Sequence, residues 1–221
     1  MKITLLYPAL NGTDINTIRP LIEQLDPLVQ GYHIDVMDGI FVQNLTWGVA
    51  GVNLLASQSM RTSSWVHLMV EDVALYVASL LLAPGSLVSF HLESGAEVEA
   101  IIKILKEKKY KTSLAINPKT NVEKTFPYAH LVDQILLMSV EPGHSGQDFL
   151  PEAIKKVELL AAYRATSKLN FRIGIDGGID AENIAMLAEK GVDDFAIGSA
   201  IFASPDPVEA ITILRKQLDT K

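Results

Sequence analysis

The sequence repeats one two-part pattern from end to end: a short apolar, β-rich run followed by a longer polar-and-apolar stretch. Runs suited to strands fall at 3–8, 32–37, 64–69, 87–91, 112–117, 134–139, 171–176 and 194–198, eight in all. Helical spacing of apolar residues occupies 14–28, 96–107, 151–166, 181–189 and 206–218, with a shorter stretch at 122–128. Side-chain chemistry marks the helix ends. Asp14, Asp180 and Asp206 (followed by Pro207) stand where helix starts are expected, and Gly191 stands where one stops. Strands that alternate with helices pair in parallel, because each return to the same edge needs a crossover. Eight such units predict an α/β fold of the (β/α)8 barrel type, with an open doubly wound sheet as the alternative. No linker, charge block or internal repeat interrupts the pattern, so residues 1–221 read as one barrel domain.

The composition narrows the chemistry. The chain has no cysteine, which excludes disulfides, thiolate metal sites and cysteine nucleophiles; any metal must be held by His and carboxylates. A formal net charge of −7 argues against a nucleic-acid-binding surface, although backbone N–H groups can still bind a phosphate. The first apolar run is too short for a signal peptide, and no run approaches a membrane span. A cytoplasmic protein with neither membrane nor nucleic-acid partner is the expectation.

Polar residues concentrate at the C-terminal ends of the predicted strands, the end where barrels of this class place their chemistry. The most informative string is His33-Ile34-Asp35-Val36-Met37-Asp38-Gly39. On a strand, His33, Asp35 and Met37 share one face and Ile34 and Val36 the other. Two polar side chains on a buried strand face are costly without partners, and a metal ion would be one. His67 and His91 end the third and fourth strands, Asn117 the fifth and Asp176 the seventh. Met37, Met69 and Met138 lie close to these ends. Taken singly, a His-x-Asp on a strand suits a structural hydrogen bond, a Met suits packing, and His91 suits support of a neighbouring group. Asp38 suits a brace for the turn at Gly39.

The ordered set of motifs is more specific than any one of them. His33–Gly39, Phe41-Val42-Gln43-Asn44, His67-Leu68-Met69-Val70, Phe90-His91-Leu92-Glu93, Leu137-Met138-Ser139-Val140-Glu141-Pro142-Gly143, Asp176-Gly177-Gly178-Ile179 and Gly198-Ser199-Ala200-Ile201-Phe202 resemble those of the ribulose-phosphate 3-epimerases over essentially the whole chain. The resemblance implies a metal-dependent epimerase that converts D-ribulose 5-phosphate to D-xylulose 5-phosphate through a 2,3-enediolate. It implies that His33, Asp35, His67 and Asp176 hold one divalent ion (Zn, Fe, Mn or Co). Asp35 and Asp176 would be the acid/base pair, and Met37, Met69 and Met138 a polarizable floor. The substrate phosphate would bind at Gly143 and Gly146, at Gly177 and Gly178, and at Gly198 and Ser199. The same resemblance leaves room for a hexulose 6-phosphate such as allulose 6-phosphate, for a catalytically silent sugar-phosphate binder, and for a homo-oligomer. The chain departs from the family pattern at Ala9, where a serine is usual, at Ile40 and Gln43, and at His144 and Ser145 in the loop after the sixth strand. These departures touch substrate fit and spare the four ligands.

Overall fold

A computed structural model of the protein describes residues 4–10, 14–58 and 64–219. Eight strands, β1 (Leu5–Leu10), β2 (His33–Met37), β3 (Trp65–Met69), β4 (Leu87–His91), β5 (Lys111–Ile116), β6 (Gln134–Met138), β7 (Arg172–Asp176) and β8 (Asp194–Ile197), follow one another in sequence order. Each pairs in parallel with the next, and β8 pairs with β1 to close the barrel. The helices are α1 (Ile15–Leu25), α2 (Val49–Gln58), α3 (Val73–Ser79), α4 (Val98–Glu107), α5 (Glu152–Thr166), α6 (Ile184–Lys190), the single turn α7 (Ser199–Phe202) and α8 (Pro207–Asp219). The segment Val122–Tyr128 forms a 3₁₀ helix in place of an α-helix.

Period-two alternation sorts the strand residues into two layers. Outward-facing Ile34, Val66, Leu68, Val88, Phe90, Leu114, Ile135, Ile173, Ile175 and Phe195 are at most 1% exposed and form the main core against the helices. A separate inner cluster of Tyr7, Trp65, Ala115, Leu136 and Ala196 fills the middle of the barrel. At the N-terminal ends of the strands this plug rests on a polar network. Ser113 Oγ donates to Gln134 Oε1 (2.8 Å), Gln134 Nε2 donates to Asp194 Oδ2 (2.8 Å), and Arg172 Nε donates to the same oxygen (2.7 Å).

The strand boundaries agree with the sequence reading to within about two residues, the margin usual for such boundaries. β1 is the largest shift: it runs through Leu10, so Pro8 lies inside it. Pro8 is tolerated there because the ladder changes partner at this point. Pairing with β8 ends at Pro8 and pairing with β2 begins at Ala9. Asp14 caps α1 by accepting from Asn16 N–H. Asp180 instead accepts from Glu182 and Asn183 N–H in a separate turn, and α6 starts only at Ile184. Gly191 ends α6 in the left-handed conformation (φ 116°), and Asp206 accepts from Val208 and Glu209 N–H at the start of α8.

The network beneath the plug has a testable weight. Gln134→Leu leaves the buried Ser113 hydroxyl without its acceptor and removes one of the two donors to Asp194 Oδ2. The expected loss is about 1–3 kcal/mol of unfolding free energy by urea titration; an unchanged midpoint would show that the network contributes nothing.

Candidate active site

Four polar side chains from three strands meet above the plug. β2 contributes His33 and Asp35, β3 His67 and β7 Asp176; Asp35 and His67 are direct register partners. His33 Nε2 lies 2.9 Å from Asp35 Oδ1, 3.3 Å from His67 Nδ1 and 3.4 Å from Asp176 Oδ2. His67 Nδ1 lies 3.1 Å from Asp35 Oδ1 and 3.4 Å from Asp176 Oδ2. The rings of His33 and His67 are fully buried, and the edge of Trp65 supports His33 from below at 4.4 Å between ring centroids.

The electrostatics of the cluster demand a positive charge. Burial disfavours charge on every member, yet it does not prevail. The Asp35 and Asp176 carboxylates raise the pKa of His33 to about 10 against that penalty. Burial also opposes ionisation of Asp35 and Asp176, but His33 holds both below the usual carboxylate range. The His67 pKa is raised against burial by hydrogen bonds to Asp176 and Asp35.

The donor set fits a divalent metal ion. One atom from each residue lies within 4.8 Å of all the others. Tetrahedral coordination with bonds of roughly 2.0–2.1 Å gives ligand–ligand edges of about 3.3–3.4 Å. The five distances above, 2.9 to 3.4 Å, come close to those edges. Two imidazoles and two carboxylates suit zinc, iron, manganese or cobalt.

The cavity above the cluster gathers the other expected residues. Asp35, Asp176, Met37, Met69, Met138, Gly143, Gly146, Gly177, Gly178, Gly198 and Ser199 all line it, while His33 and His67 lie beneath its floor. The three methionines are 2–5% exposed. Gly177 (φ 113°) and Gly178 (φ 64°) hold conformations that suit glycine. A Cβ at Gly177 would lie 2.3 Å from Val140 Cγ2, and one at Gly178 would lie 2.5 Å from Phe149 N. The peptide N–H groups of Gly178 and Ser199 have no backbone acceptor among the described residues.

Ala9 lies on the same cavity wall, as do His144 and Ser145 at its exposed rim, whereas Ile40 is 73% exposed. Asp38 braces its turn as expected, accepting from Ile40 and Phe41 N–H through Oδ1 and from Glu71 N–H through Oδ2. At the end of β5 the Asn117 N–H donates to Glu93 Oε1.

Several supporting residues carry no sequence signal. Thr46 Oγ donates to Asp35 O (2.6 Å) and accepts from Met37 N–H (3.0 Å), which fixes the end of β2. Asn44 Nδ2 donates to Gly143 O, and Asn183 Nδ2 to Gly178 O, so each tethers a glycine loop. Only their spatial neighbours, distant in sequence, give these residues a role.

The family model of the ribulose-phosphate 3 epimerase family matches residues 5–202. The ribulose-phosphate 3-epimerase of Escherichia coli strain K12 is 33% identical over 223 residues, covering 99% of this chain and 97% of that protein. The enzyme of the same name from Aquifex aeolicus is 34% identical, covering 89% of each. Among solved structures, 3-keto-L-gulonate-6-phosphate decarboxylase from Vibrio cholerae aligns with TM-score 0.71 at 15% identity, over 99% of this chain and 98% of that one. The 3-hexulose-6-phosphate synthase of Salmonella typhimurium gives 0.70 at 15%, over 97% of this chain and 98% of that one. At those identities the structures speak for the fold alone. On the family match, the full-length relatives and the motifs carried at the strand ends, the chain belongs to the ribulose-phosphate 3-epimerase family.

Proposed function

We propose that the protein is a metal-dependent 3-epimerase of a ketose phosphate, with D-ribulose 5-phosphate and D-xylulose 5-phosphate as its substrate pair. The observation that carries this reading is the way the two aspartates divide their oxygens. Asp35 Oδ1 and Asp176 Oδ2 face the imidazoles. The second oxygen of each has no protein partner among the described residues and is not sealed from solvent, on side chains that line the cavity. Each carboxylate is therefore able to hold the cluster with one atom and exchange a proton with the other.

Inversion at carbon 3 requires removal of a proton α to the ketone and return of a proton to the opposite face. Asp35 on β2 and Asp176 on β7 approach from different sides of the mouth. One begins as the base and the other as the acid. A divalent ion held by His33, Asp35, His67 and Asp176 supplies Lewis-acid stabilisation of the ketone and of the enediolate charge. Met37, Met69 and Met138 exclude water beside the reacting carbons and present polarizable sulfur to them. The N–H groups of Gly178 and Ser199, with Gly177, Gly198 and the loop through Gly143 and Gly146, would receive the phosphate without a lysine.

The test is isotope exchange. Metal-loaded protein incubated with ribulose 5-phosphate in D2O is expected to place deuterium at carbon 3 and to form xylulose 5-phosphate. Exchange on allulose 6-phosphate alone would move the assignment to a hexulose, and binding without exchange on either sugar would make the chain a silent sugar-phosphate binder. Asp176→Asn, in protein whose thermal unfolding shows it folded, should lower the exchange rate by at least ~10²-fold; near wild-type exchange would remove Asp176 from the acid/base pair. Metal binding should also release protons. In the metal-free protein at pH 7, His33 is charged because its pKa of about 10 lies above the solution pH, and a coordinating imidazole must be neutral. Adding Zn2+ to weakly buffered metal-free protein at pH 7 is expected to release at least about one proton per bound ion. Ion binding with no acidification would show that His33 is neutral before the ion binds or is not a ligand.

A further inference from the structure

His67 is the member of the cluster with a second buried partner. Its Nδ1 faces Asp35 and Asp176, and its Nε2 lies 2.8 Å from Nε2 of His91 on β4. Both rings are buried, and Phe41 packs against the ring of His91 at 4.9 Å. Two imidazole nitrogens at this distance share a single proton, so one ring donates and the other accepts. Beyond His91 stands Glu93: His91 Nδ1 and Glu93 Oε2 are 3.4 Å apart, within ion-pair range, and neither of these buried atoms has a hydrogen-bond partner among the described residues. Glu93 itself is firmly placed. Its Oε1 accepts from Asn117 N–H (2.8 Å) and from the Thr120 hydroxyl. Burial pushes its pKa up, but these partners and His91 outweigh burial and bring it down to about 2, so Glu93 is an acceptor only.

An acceptor at one end of this row sets the direction of every proton in it. His91 turns Nδ1–H toward Glu93 and leaves a lone pair on Nε2. His67 then donates Nε2–H to His91, so that loss of the proton its Nδ1 shares with Asp35 and Asp176 would leave a lone pair there for an ion. We propose that Glu93, acting through His91, fixes the tautomer of His67 and so determines that Nδ1 is its metal-binding nitrogen. This inference rests on the metal-site reading and adds two positioning residues to it, neither of which touches the ion or the substrate.

The support continues outward to the surface layer. Lys156 of α5 donates from Nζ to Asn117 O (3.2 Å), Thr120 O (2.6 Å) and Pro118 O, which locks the loop that carries the two partners of Glu93. His33 contrasts with His67: its Nδ1 has no partner among the described residues. The protein thus orients one of its two imidazole ligands in advance.

Metal affinity and histidine tautomers provide the test, neither of which depends on turnover. Glu93→Ala and His91→Phe are expected to weaken Zn2+ binding by about 10–100-fold in chelator competition and to alter the visible spectrum of the Co2+-loaded protein. Zn2+ affinities within twofold of wild type, in variants whose metal-free thermal midpoints show them folded, would overturn the proposal. If the variants fail to fold, ¹⁵N NMR of histidine-labelled, zinc-loaded wild-type protein decides alone. The expected pattern is protonated Nε2 on His67 and protonated Nδ1 on His91; an unprotonated Nε2 on His67 overturns the proposal. Wild-type protein that binds neither ion would overturn the metal-site reading together with this one. Tight wild-type binding with weak binding by both variants supports the row of residues even if no sugar phosphate undergoes exchange.

Discussion

Four polar atoms held within 4.8 Å of one another, above an apolar plug, are the constraint around which the upper half of this barrel is arranged. Burying a carboxylate or a protonated imidazole alone is prohibitive, and burying a matched set is tolerable only when the geometry is good. Here the geometry comes from register. Asp35 and His67 pair directly across β2 and β3, Met37 pairs with Met69 one step above them, and Asp176 pairs with Met138 across β6 and β7. A slip of one residue in any of these strands would turn its ligand into the helix layer and bring an apolar side chain into the cluster. The cluster thus depends on the same hydrogen-bond ladders that close the barrel.

The two ends of the barrel handle buried polarity in opposite ways. At the N-terminal end, Ser113, Gln134, Asp194 and Arg172 satisfy one another, with a full cation already in the network. At the C-terminal end the carboxylates of Asp35 and Asp176 face imidazoles, which supply positive charge only by binding a proton. The first arrangement is complete as it stands. The second is complete only with a proton or a metal ion, and the raised pKa of His33 is the measure of that demand. Trp65 and Tyr7 lie between them, packed edge to face at 5.2 Å, and keep the two networks apart.

The strand ends were legible in the sequence because they obey a strict period. His33, Asp35 and Met37 alternate with Ile34 and Val36, and that pattern alone assigns them to the inner face. The meeting of His33 with His67 and Asp176 was legible only through eightfold closure and family resemblance, since nothing local to Asp176 points to strand two. What remained hidden is what loops bring together. Asn44 reaches Gly143 across 99 positions, and Lys156 reaches the carbonyls of the loop after β5 from α5. Asn, Thr and Lys in such places look like ordinary surface residues, because their role lies in the backbone atoms they meet. Helix α6 shows the same limit on a smaller scale. Asp180 carries a strong start signal, yet it is used by a turn three residues ahead of the helix cap at Asn183.

The same division governs where this chain departs from its family. The five motif departures named above avoid the buried cluster. Ile40 and Gln43 are exposed in the loop after β2, and His144 and Ser145 stand at the outer rim of the cavity; Ala9 alone reaches the inner wall, where it is 3% exposed and offers no hydrogen bond from its side chain. On the proposed function, a change at the rim would alter which substrate oxygen finds a partner, whereas a change in the cluster would strand a buried charge. The cost of the second kind of change is paid by the fold itself, and that of the first only by the substrate. The barrel floor therefore restricts the class of proton-transfer chemistry far more tightly than the rim restricts the sugar.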